Sequence, residues 1–244
     1  MKIDFIYSPN FSSRKNRKIQ SIIIHYTGMK STSASLKRLK SKKSKVSCHY
    51  LINNNGKIVQ MVKEKDIAWH AGISYWNGEK GLNKTSIGIE LQNKGEELGY
   101  EKFKKAQIFS LINLINLIKQ KYQIKDALIL GHSDIAPDRK IDPGYLFPWK
   151  QLYRAGIGLM PNFKKINNRE LANKDIKSLQ LLLIEFGYKL SVSEVLDKET
   201  LQVLYAFQSH YCPEELKQFK FKNKLLIYLK TLIKAKNRSL TKKN

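Results

Sequence analysis

Two histidines follow predicted strands, which is where α/β proteins place their functional groups. His25 follows the apolar run Ile22–Ile24, and His132 follows Leu128–Gly131. The carboxyl ends of parallel strands meet at one edge of a sheet, and Asp142 comes ten residues after His132. A catalytic zinc is held by three nitrogen or oxygen ligands and keeps an open position for water. These three side chains form such a set, although their spacing alone leaves open the alternative of hydrogen-bonded residues at the sheet rim.

The other histidines and the two cysteines carry weaker signals. His49 directly follows Cys48, and we expect it to pack inside the protein or to hydrogen-bond a loop that bears a metal ligand. His210 lies in a helical region, which favours a structural role. Cys48 and Cys212 are far apart in sequence, so they cannot form the disulfide framework of a small secreted protein.

Strands and helices alternate along residues 1–155, and they determine where those side chains lie. A β-branched run predicts a buried strand, Asn-Gly marks a hairpin, and paired apolar residues mark a long helix. The predicted elements are a strand at 21–26, a basic helix at 33–43, a hairpin at 49–62, a strand at 86–92, a helix at 101–122 and a strand at 127–130. The alternation predicts an α/β domain with a mixed central sheet flanked by helices.

The chain becomes polar after this region and then turns helical. Residues 156–170 contain Gly156, Gly158 and Pro161, and we expect them to form a linker. Residues 171–244 show no strand pattern and predict a small all-α, three-helix domain with a basic tail. Its helices are predicted at 174–186, closed by Gly187; at 198–211, capped by Asp197; and at 224–235.

The chain is strongly basic, with 45 Lys and Arg against 20 Asp and Glu and a net charge of +25. Only 7 of the basic residues are Arg, whereas surfaces that read phosphates and bases favour its planar guanidinium. A nucleic-acid-binding function therefore rests on charge alone. One stretch is distinct, because no acidic residue lies between Asp4 and Glu64 while 13 basic residues do. It either attracts an anionic polymer or is a solvated basic helix face.

No segment predicts a membrane span. The longest apolar run, at 108–118, is interrupted by polar residues, and a span needs about 18 apolar residues. The N-terminal residues do not read as a signal peptide, since Asp4 interrupts their apolar stretch. We therefore expect a protein that stays inside the cell, leaves it by another route or is numbered from a processed form.

Five segments of the first domain carry a resemblance that is stronger than any single spacing. In chain order they are Ile22–Thr27, Val46–Ile52, Ala68–Gly72, Ser86–Leu91 and Gly131–Gly144. Together they resemble the zinc-dependent N-acetylmuramoyl-L-alanine amidases of family 2, which share their fold with peptidoglycan recognition proteins. The resemblance spans about residues 20 to 150, and its last segment is the most specific.

The resemblance implies one zinc ion per chain, held by His25, His132 and Asp142. The implied reaction is hydrolysis of the amide bond between N-acetylmuramic acid, or its anhydro form, and L-alanine of the stem peptide, in cell-wall turnover or recycling. Glu90 lies on the polar side of its alternating strand and is implied as the general base. Lys140 stands two residues before Asp142 and is implied to stabilise the oxyanion.

Three further residues are implied at the substrate cleft. Trp69 offers an aromatic ring that stacks on a sugar or a peptide, and His70 follows it; the alternative is a Trp–His pair buried in the core. Arg139 is expected to bind a carboxylate of the stem peptide with two guanidinium nitrogens. Cys48 is not expected to act as a nucleophile, because a reaction that uses zinc and water needs none.

The C-terminal region resembles the helical peptidoglycan-binding domains that often follow such amidases. The resembling segments are Asp175–Tyr188 and Asp197–Tyr211, but Ser191–Leu196 replaces the glycine turn expected before the second helix. Glycan binding and a purely structural appendage therefore both stay open.

The leading hypothesis is an active, monomeric amidase that binds peptidoglycan or muropeptides and has no specific nucleic-acid partner. The alternative is a peptidoglycan-recognition module without catalysis, against which the joint presence of Glu90, Lys140 and the three zinc ligands argues. A wall-binding domain favours the cell envelope or periplasm, reached by a non-classical route, whereas the missing signal peptide favours the cytoplasm.

Overall fold

The structure of the protein, a computed structural model, describes residues 2–161, 173–218 and 224–241. Within these ranges the strands are β1 (Ile3–Phe5), β2 (Phe11–Ser13), β3 (Ser21–Tyr26), β4 (Tyr50–Ile52), β5 (Ile58–Gln60), β6 (Asp66–Ala68), β7 (Tyr75–Trp76), β8 (Glu79–Lys80), β9 (Ser86–Leu91) and β10 (Ile129–Gly131). The α-helices are α1 (Thr32–Lys40), α2 (Lys105–Tyr122), α3 (His132–Ile135), α4 (Trp149–Arg154), α5 (Asn173–Phe186), α6 (Lys198–Tyr211) and α7 (Lys224–Thr241). Shorter 3-10 turns lie at Lys42–Ser44, Leu82–Lys84, Glu96–Leu98, Asp126–Leu128 and Pro213–Gln218.

Six of the strands form one mixed sheet in the order β1-β5-β4-β9-β3-β10. The strands β4 and β5 are antiparallel across the predicted Asn-Gly turn, whereas the other neighbouring pairs are parallel. Two small antiparallel pairs, β2 with β6 and β7 with β8, stand beside it. This mixed sheet with flanking helices confirms the predicted fold class.

The first face of the sheet packs against α2. Side chains alternate along a strand, so Ile22 and Ile24 of β3 point to this face together with Ile87 and Ile89 of β9. The apolar stripe of α2, which includes Leu111, covers them. Each aliphatic side chain buried in this way stabilises the fold by about 1.5–3 kcal/mol.

The second face is covered by the C-terminal helices. Ile23 and Leu130 point to this face and share one buried cluster with Leu183 of α5, Phe207 of α6 and Leu229 of α7. The sheet and these helices therefore have a continuous hydrophobic core. Near the carboxyl ends of β3, β9 and β10 the same face carries polar side chains instead, and a cavity opens there.

Both predicted capping residues lie at helix termini, Asp197 at the start of α6 and Gly187 after the end of α5. Asp197 Oδ1 accepts the N–H of Thr200 at 2.8 Å at the start of α6, and Gly187, with a φ of 139°, follows the last residue of α5. The last helix runs further than predicted, to Thr241. The predicted linker falls largely on residues 162–172, which lie outside the described ranges. None of the described helices is both long enough and apolar enough to cross a membrane.

Some element boundaries within residues 1–155 were predicted wrongly. The helix α2 begins one turn later than predicted, at Lys105, because the Gln107 side chain accepts the N–H of Lys104 at 3.0 Å and caps the helix there. The strand β10 begins at Ile129, after a 3-10 turn, and α1 ends at Lys40, before another. The strands β1, β2, β6, β7 and β8 have two or three residues each, too few for a readable period, and were not predicted.

Candidate active site

Three polar side chains stand in one row at the carboxyl edge of the sheet. Glu90 pairs with His25 across the parallel strands β9 and β3. Gly131 pairs with Ile24 across β10 and β3, so His132, the next residue, comes level with His25. In this register, residues that are far apart in sequence share one face of the sheet.

Asp142 reaches the same edge because the segment after His132 folds back. The N–H of Ser133 donates to the carbonyl of Asp142 at 2.8 Å and closes this loop. Asp142 Oδ2 lies 3.0 Å from His25 Nδ1 and 3.2 Å from His132 Nδ1. The two Nδ1 atoms are 3.0 Å apart, so two nitrogens and one oxygen form a buried triangle.

The outer nitrogens of both histidines have partners of their own, which determine where the ring protons lie. His132 Nε2 lies 3.2 Å from the carbonyl oxygen of Ala71 and donates to it, because a carbonyl only accepts. His25 Nε2 lies 3.0 Å from His70 Nδ1. With the proton of each neutral ring on Nε2, both Nδ1 atoms present lone pairs to Asp142.

His70 supports His25 from within the protein. His70 Nε2 lies 3.2 Å from Ser86 Oγ, and that hydroxyl donates to the carbonyl of Leu82 at 2.6 Å. One directed chain follows, in which His25 donates to His70, His70 to Ser86, and Ser86 to Leu82. The His70 ring lies against Gly88, where a Cβ atom would stand 2.3 Å from Cγ of the ring. The strand therefore needs glycine at this point.

Protonation in the cluster is governed by burial and by mutual charge. Burial, followed by the charge of His132, lowers the pKa of His25 to about 4, and burial lowers that of His70 well below its ordinary value. Burial acts to raise the pKa of Asp142, but the charge and the hydrogen bonds that His132 and His25 supply in their protonated forms outweigh it and hold that pKa well below the usual range. Neutral imidazoles and an ionised carboxylate are the states in which these groups bind a metal.

Glu90 and Lys140 line one cavity of about 540 Å³ together with the triangle. Glu90 Oε2 is buried and has no hydrogen-bond partner among the described residues. Burial first, and the charge of Asp142 second, raise the pKa of Glu90 well above its ordinary value, against an opposing contribution from Lys140. A carboxyl group in such surroundings is suited to taking up and releasing a proton.

The predicted substrate residues line the same cavity but differ in what they contact. Trp69 is half-buried, and its indole N–H donates to Ser12 Oγ at 2.8 Å. His70 is 9% exposed, and both of its ring nitrogens are already bonded within the protein. The geometry therefore gives His70 the role of a support for His25 and leaves neither ring nitrogen for the predicted contact with substrate.

Arg139 is exposed at the cavity and braces a neighbouring loop. Its guanidinium donates to the carbonyls of Ala71, at 2.6 Å, and Ile73, at 3.2 Å. Because the carbonyl of Ala71 also accepts from His132, Arg139 helps to fix the group that orients this histidine.

A further buried layer lies behind His70, and part of it was not evident in the sequence. His49 is fully buried, as expected; its Nδ1 accepts the N–H of Gly88 at 3.0 Å, and its Nε2 lies 3.2 Å from the carbonyl oxygen of Asp66. Arg14 is 3% exposed, and it donates to backbone carbonyls, including that of Asp66 at 2.8 Å. Carbonyl groups occur at every residue, so no charge pattern in the sequence signals this buried arginine.

Two residues outside the cluster, Cys48 and His210, are buried in the core. Cys48 is buried, and burial raises the pKa of its thiol well above the ordinary value, which disfavours a nucleophile. His210 is 2% exposed, and its Nδ1 lies 2.7 Å from Oδ2 of Asp134, inside the core.

The chain is similar to known proteins over most of its length. Residues 15–145 match the protein family described as N-acetylmuramoyl-L-alanine amidase. The chain is 41% identical over 214 residues to N-acetylmuramoyl-L-alanine amidase AmiD of Escherichia coli (strain K12), across 80% of this chain and 76% of the relative. It is 46% identical over 108 residues to 1,6-anhydro-N-acetylmuramyl-L-alanine amidase AmpD of Haemophilus influenzae, across 44% of this chain and 56% of that relative.

The fold is shared as well. A solved complex of E. coli AmiD with the substrate anhydro-N-acetylmuramic acid-L-Ala-D-gamma-Glu-L-Lys matches with a TM-score of 0.79 and 34% identity, over 91% of both chains. The family match and the shared fold together define a hydrolase. The chain belongs to the N-acetylmuramoyl-L-alanine amidase family. It is thus an amidase of peptidoglycan turnover, which confirms the predicted enzyme class.

Proposed function

We propose that this amidase uses one zinc ion, held by His25, His132 and Asp142, to cleave the bond between muramic acid and L-alanine in muropeptides. The observation that carries the proposal is the triangle of two Nδ1 atoms and one Oδ2 atom, 3.0–3.2 Å apart. Ligands about 2.0–2.2 Å from a tetrahedral zinc lie about 3.3–3.6 Å from one another, slightly farther apart than the three atoms seen here. The spacing therefore supports a zinc centre.

The chemistry of the donor set supports the same centre. The Nε2 protons of His25 and His132 are committed to His70 and Ala71. Three lone-pair atoms then face one another in a buried place, where their repulsion calls for a cation. Two imidazoles and one carboxylate are ligands that a catalytic zinc accepts, with a further position left for water or substrate.

Glu90 and Lys140 supply the remaining groups that hydrolysis needs. When bound, zinc acts as a Lewis acid towards the scissile carbonyl and lowers the pKa of water. Glu90 takes the proton of the attacking water at its Oε2, which has no partner among the described residues, and passes it to the amine that leaves with L-alanine. The Lys140 ammonium stabilises the negative charge that develops on the carbonyl oxygen.

The surrounding residues divide into supports and substrate contacts. His70 keeps the Nε2 proton of His25 in place and so keeps its Nδ1 free for the metal. Trp69 and Arg139 lie in the cavity wall, and in this proposal they contact the sugar and the stem peptide. Arg38 lines this cavity and also, with Lys37 and Lys43, an adjacent pocket. This positive charge supports an anionic substrate.

The substrate class is proposed from the relatives. The AmiD complex contains an anhydromuramyl peptide, and AmpD is named for the 1,6-anhydro form. For this chain we propose muropeptides with either form of the sugar. The proposed location is the cell envelope or periplasm, with recycling in the cytoplasm as the alternative that cell fractionation distinguishes.

Mass spectrometry of muropeptides incubated with zinc-loaded protein tests the proposal. We expect free stem peptide that begins at L-alanine, lost after EDTA treatment and recovered when zinc is added back. Glu90→Gln serves as the matched control, because it retains the metal ligands and loses the base. Muropeptides that bind but stay intact would contradict the proposal and support a recognition module without catalysis.

A further inference from the structure

Asp134 lies two residues after His132, and its carboxylate is held by donors from three parts of the chain. The residue is 1% exposed. Its Oδ2 accepts the N–H of Gly131 at 2.7 Å and lies 2.7 Å from His210 Nδ1. Its Oδ1 accepts the hydroxyl of Tyr188 at 2.9 Å. Two of these three partners belong to the C-terminal region that covers the second face of the sheet, since His210 lies in α6 and Tyr188 comes two residues after α5.

The His132 turn has little stability of its own. It is the four-residue helix α3, and a helix of this length is not stable without tertiary contacts. It is held by the N–H of Gly131 to Asp134, by the N–H of Ala136 to the carbonyl of His132 at 3.1 Å, and by the N–H of Ser133 to the carbonyl of Asp142. The remaining support for the Asp134 carboxylate comes from outside the turn. The position of His132 Nδ1 therefore depends on how firmly that carboxylate is held, as well as on the bond from His132 Nε2 to Ala71.

His210 is itself firmly fixed. Its ring lies between Trp149, with a centroid distance of 3.6 Å and an angle of 16°, and Tyr211, at 3.8 Å and 7°. The indole of Trp149 also packs close to Gly131, where a Cβ atom would lie 3.3 Å from it. The stack and the Asp134 contact therefore clamp the turn between α4 and α6.

We propose that the C-terminal helical region is part of the scaffold of the active site, and that Tyr188 and His210 are positioning residues for His132. They act through Asp134 and do not touch the substrate. Both lie outside residues 15–145, the part that matches the amidase family. The inference rests on the proposed function in one respect, that His132 is a zinc ligand.

Two conservative substitutions remove these contacts without emptying the core. Tyr188→Phe removes one hydroxyl group, and His210→Phe keeps an aromatic ring between Trp149 and Tyr211 while removing the donor. Loss of a group that orients a metal ligand typically lowers metal affinity by about 10- to 100-fold. We expect an effect in that range for both variants.

Lys236→Met is the matched control. Lys236 is 6% exposed and donates to the carbonyls of Glu185 and Phe186, at 2.7 and 3.2 Å, so it joins α7 to α5. It belongs to the same helical region and makes no hydrogen bond to Asp134. Its loss should destabilise the helices without reaching the His132 turn.

The test measures zinc affinity by chelator competition, hydrogen exchange of the amides at 131–136 in zinc-free protein, and thermal unfolding, all on the full chain. We expect weaker zinc binding and faster exchange at 131–136 in Tyr188→Phe and His210→Phe. In Lys236→Met we expect a lower Tm with neither change. If His210→Phe does not fold, Tyr188→Phe decides, because it lacks a single oxygen atom.

Two failures are distinguishable. A wild-type protein that binds zinc, with both variants within about twofold of its affinity and with unchanged exchange at 131–136, would overturn the role of the helices. A wild-type protein that binds no zinc would overturn the proposed metal centre as well.

Discussion

Two buried carboxylates near the sheet edge both meet a histidine Nδ1, yet they are built differently. Asp134 lies among donors: the N–H of Gly131, the ring of His210 and a tyrosine hydroxyl. Asp142 faces His25 and His132, whose ring protons are used on their far sides. Both oxygens of the Asp134 carboxylate accept hydrogen bonds from the protein. The Asp142 carboxylate instead faces the Nδ1 lone pairs of two histidines.

The difference shows that proximity of histidine and aspartate does not by itself define a metal site. What separates the two clusters is where the protons lie, and this is set by groups behind the rings, such as His70 and the carbonyl of Ala71. A cluster whose acceptors have donors stabilises the fold. A cluster of converging acceptors binds a cation.

The largest effect is expected from Asp142→Asn, which replaces one of the three acceptors that converge at the proposed zinc site. The amide removes a negative ligand, so we expect the protein to lose zinc on dialysis and muropeptide cleavage to fall to background. Zinc content and product formation by mass spectrometry measure this. Full zinc content together with full cleavage would contradict the assignment.

The reciprocal change, Asp134→Asn, disrupts the cluster in which Gly131, Tyr188 and His210 donate to a carboxylate. The amide cannot accept from all three donors, and a buried donor left without an acceptor costs about 1–3 kcal/mol, so we expect a loss of that size in the free energy of unfolding in urea. Zinc binding should weaken without being abolished. An unchanged urea midpoint would show that Asp134 is not the structural member of the pair.

Much of this site follows from the sequence, and the reasons are local. Alternation in Ser86–Leu91 predicts that Glu90 leaves the core side of its strand, and strand ends at His25 and His132 predict their common edge. The contact between Asp134 and His210 joins positions 76 residues apart. It exists only because the C-terminal helices dock on the second face, which no local pattern encodes.

Glu90→Gln removes a third carboxylate, whose buried Oε2 has no partner among the described residues. General-base catalysis typically contributes about 10²–10⁴-fold, so we expect kcat to fall by that factor. Zinc affinity should stay close to that of the wild type, in contrast to Asp142→Asn. Steady-state kinetics with a defined muropeptide, alongside chelator competition, separate the two effects. A variant that retains its kcat would remove Glu90 from the mechanism.

Lys140→Met is expected to have the next largest effect. A donor to a developing oxyanion contributes about 10²–10³-fold to kcat, and KM should change little because the charge develops after binding. Lys140→Arg is the control that keeps the positive charge and should recover part of the rate. An effect confined to KM would assign Lys140 to substrate binding instead.

A smaller effect is expected from the basic surface beside the cavity. Lys40, Lys42 and Lys43 are exposed at and after the end of α1. Replacing all three with Gln should weaken binding to intact cell wall at low salt, with the difference vanishing as the Debye length falls from about 10 Å at 0.1 M to about 3 Å at 1 M. Cleavage of small soluble muropeptides should be unaffected. Binding isotherms that coincide at low salt would contradict this use of the surface.

The smallest effect, on the free energy of unfolding, is expected at Glu64, another carboxylate whose two oxygens accept hydrogen bonds from the protein. Burial acts to raise its pKa, but hydrogen bonds from Lys121, Tyr122 and Tyr50 outweigh it and lower the pKa below the ordinary value. Ionised Glu64 therefore stabilises the fold above the ordinary pKa of glutamate, and this is lost as the pH falls through the lowered value. Glu64→Gln should cost about 1–2 kcal/mol at neutral pH and less in acid. A pH-independent difference in urea unfolding would contradict this.

Diffraction from crystals of zinc-loaded protein at the zinc absorption edge tests the metal assignment most directly. We expect one anomalous peak per chain, about 2.0–2.2 Å from both Nδ1 atoms and from Asp142 Oδ2, and none at Asp134. An active protein with no peak among His25, His132 and Asp142, or with its peak at another place, would contradict it.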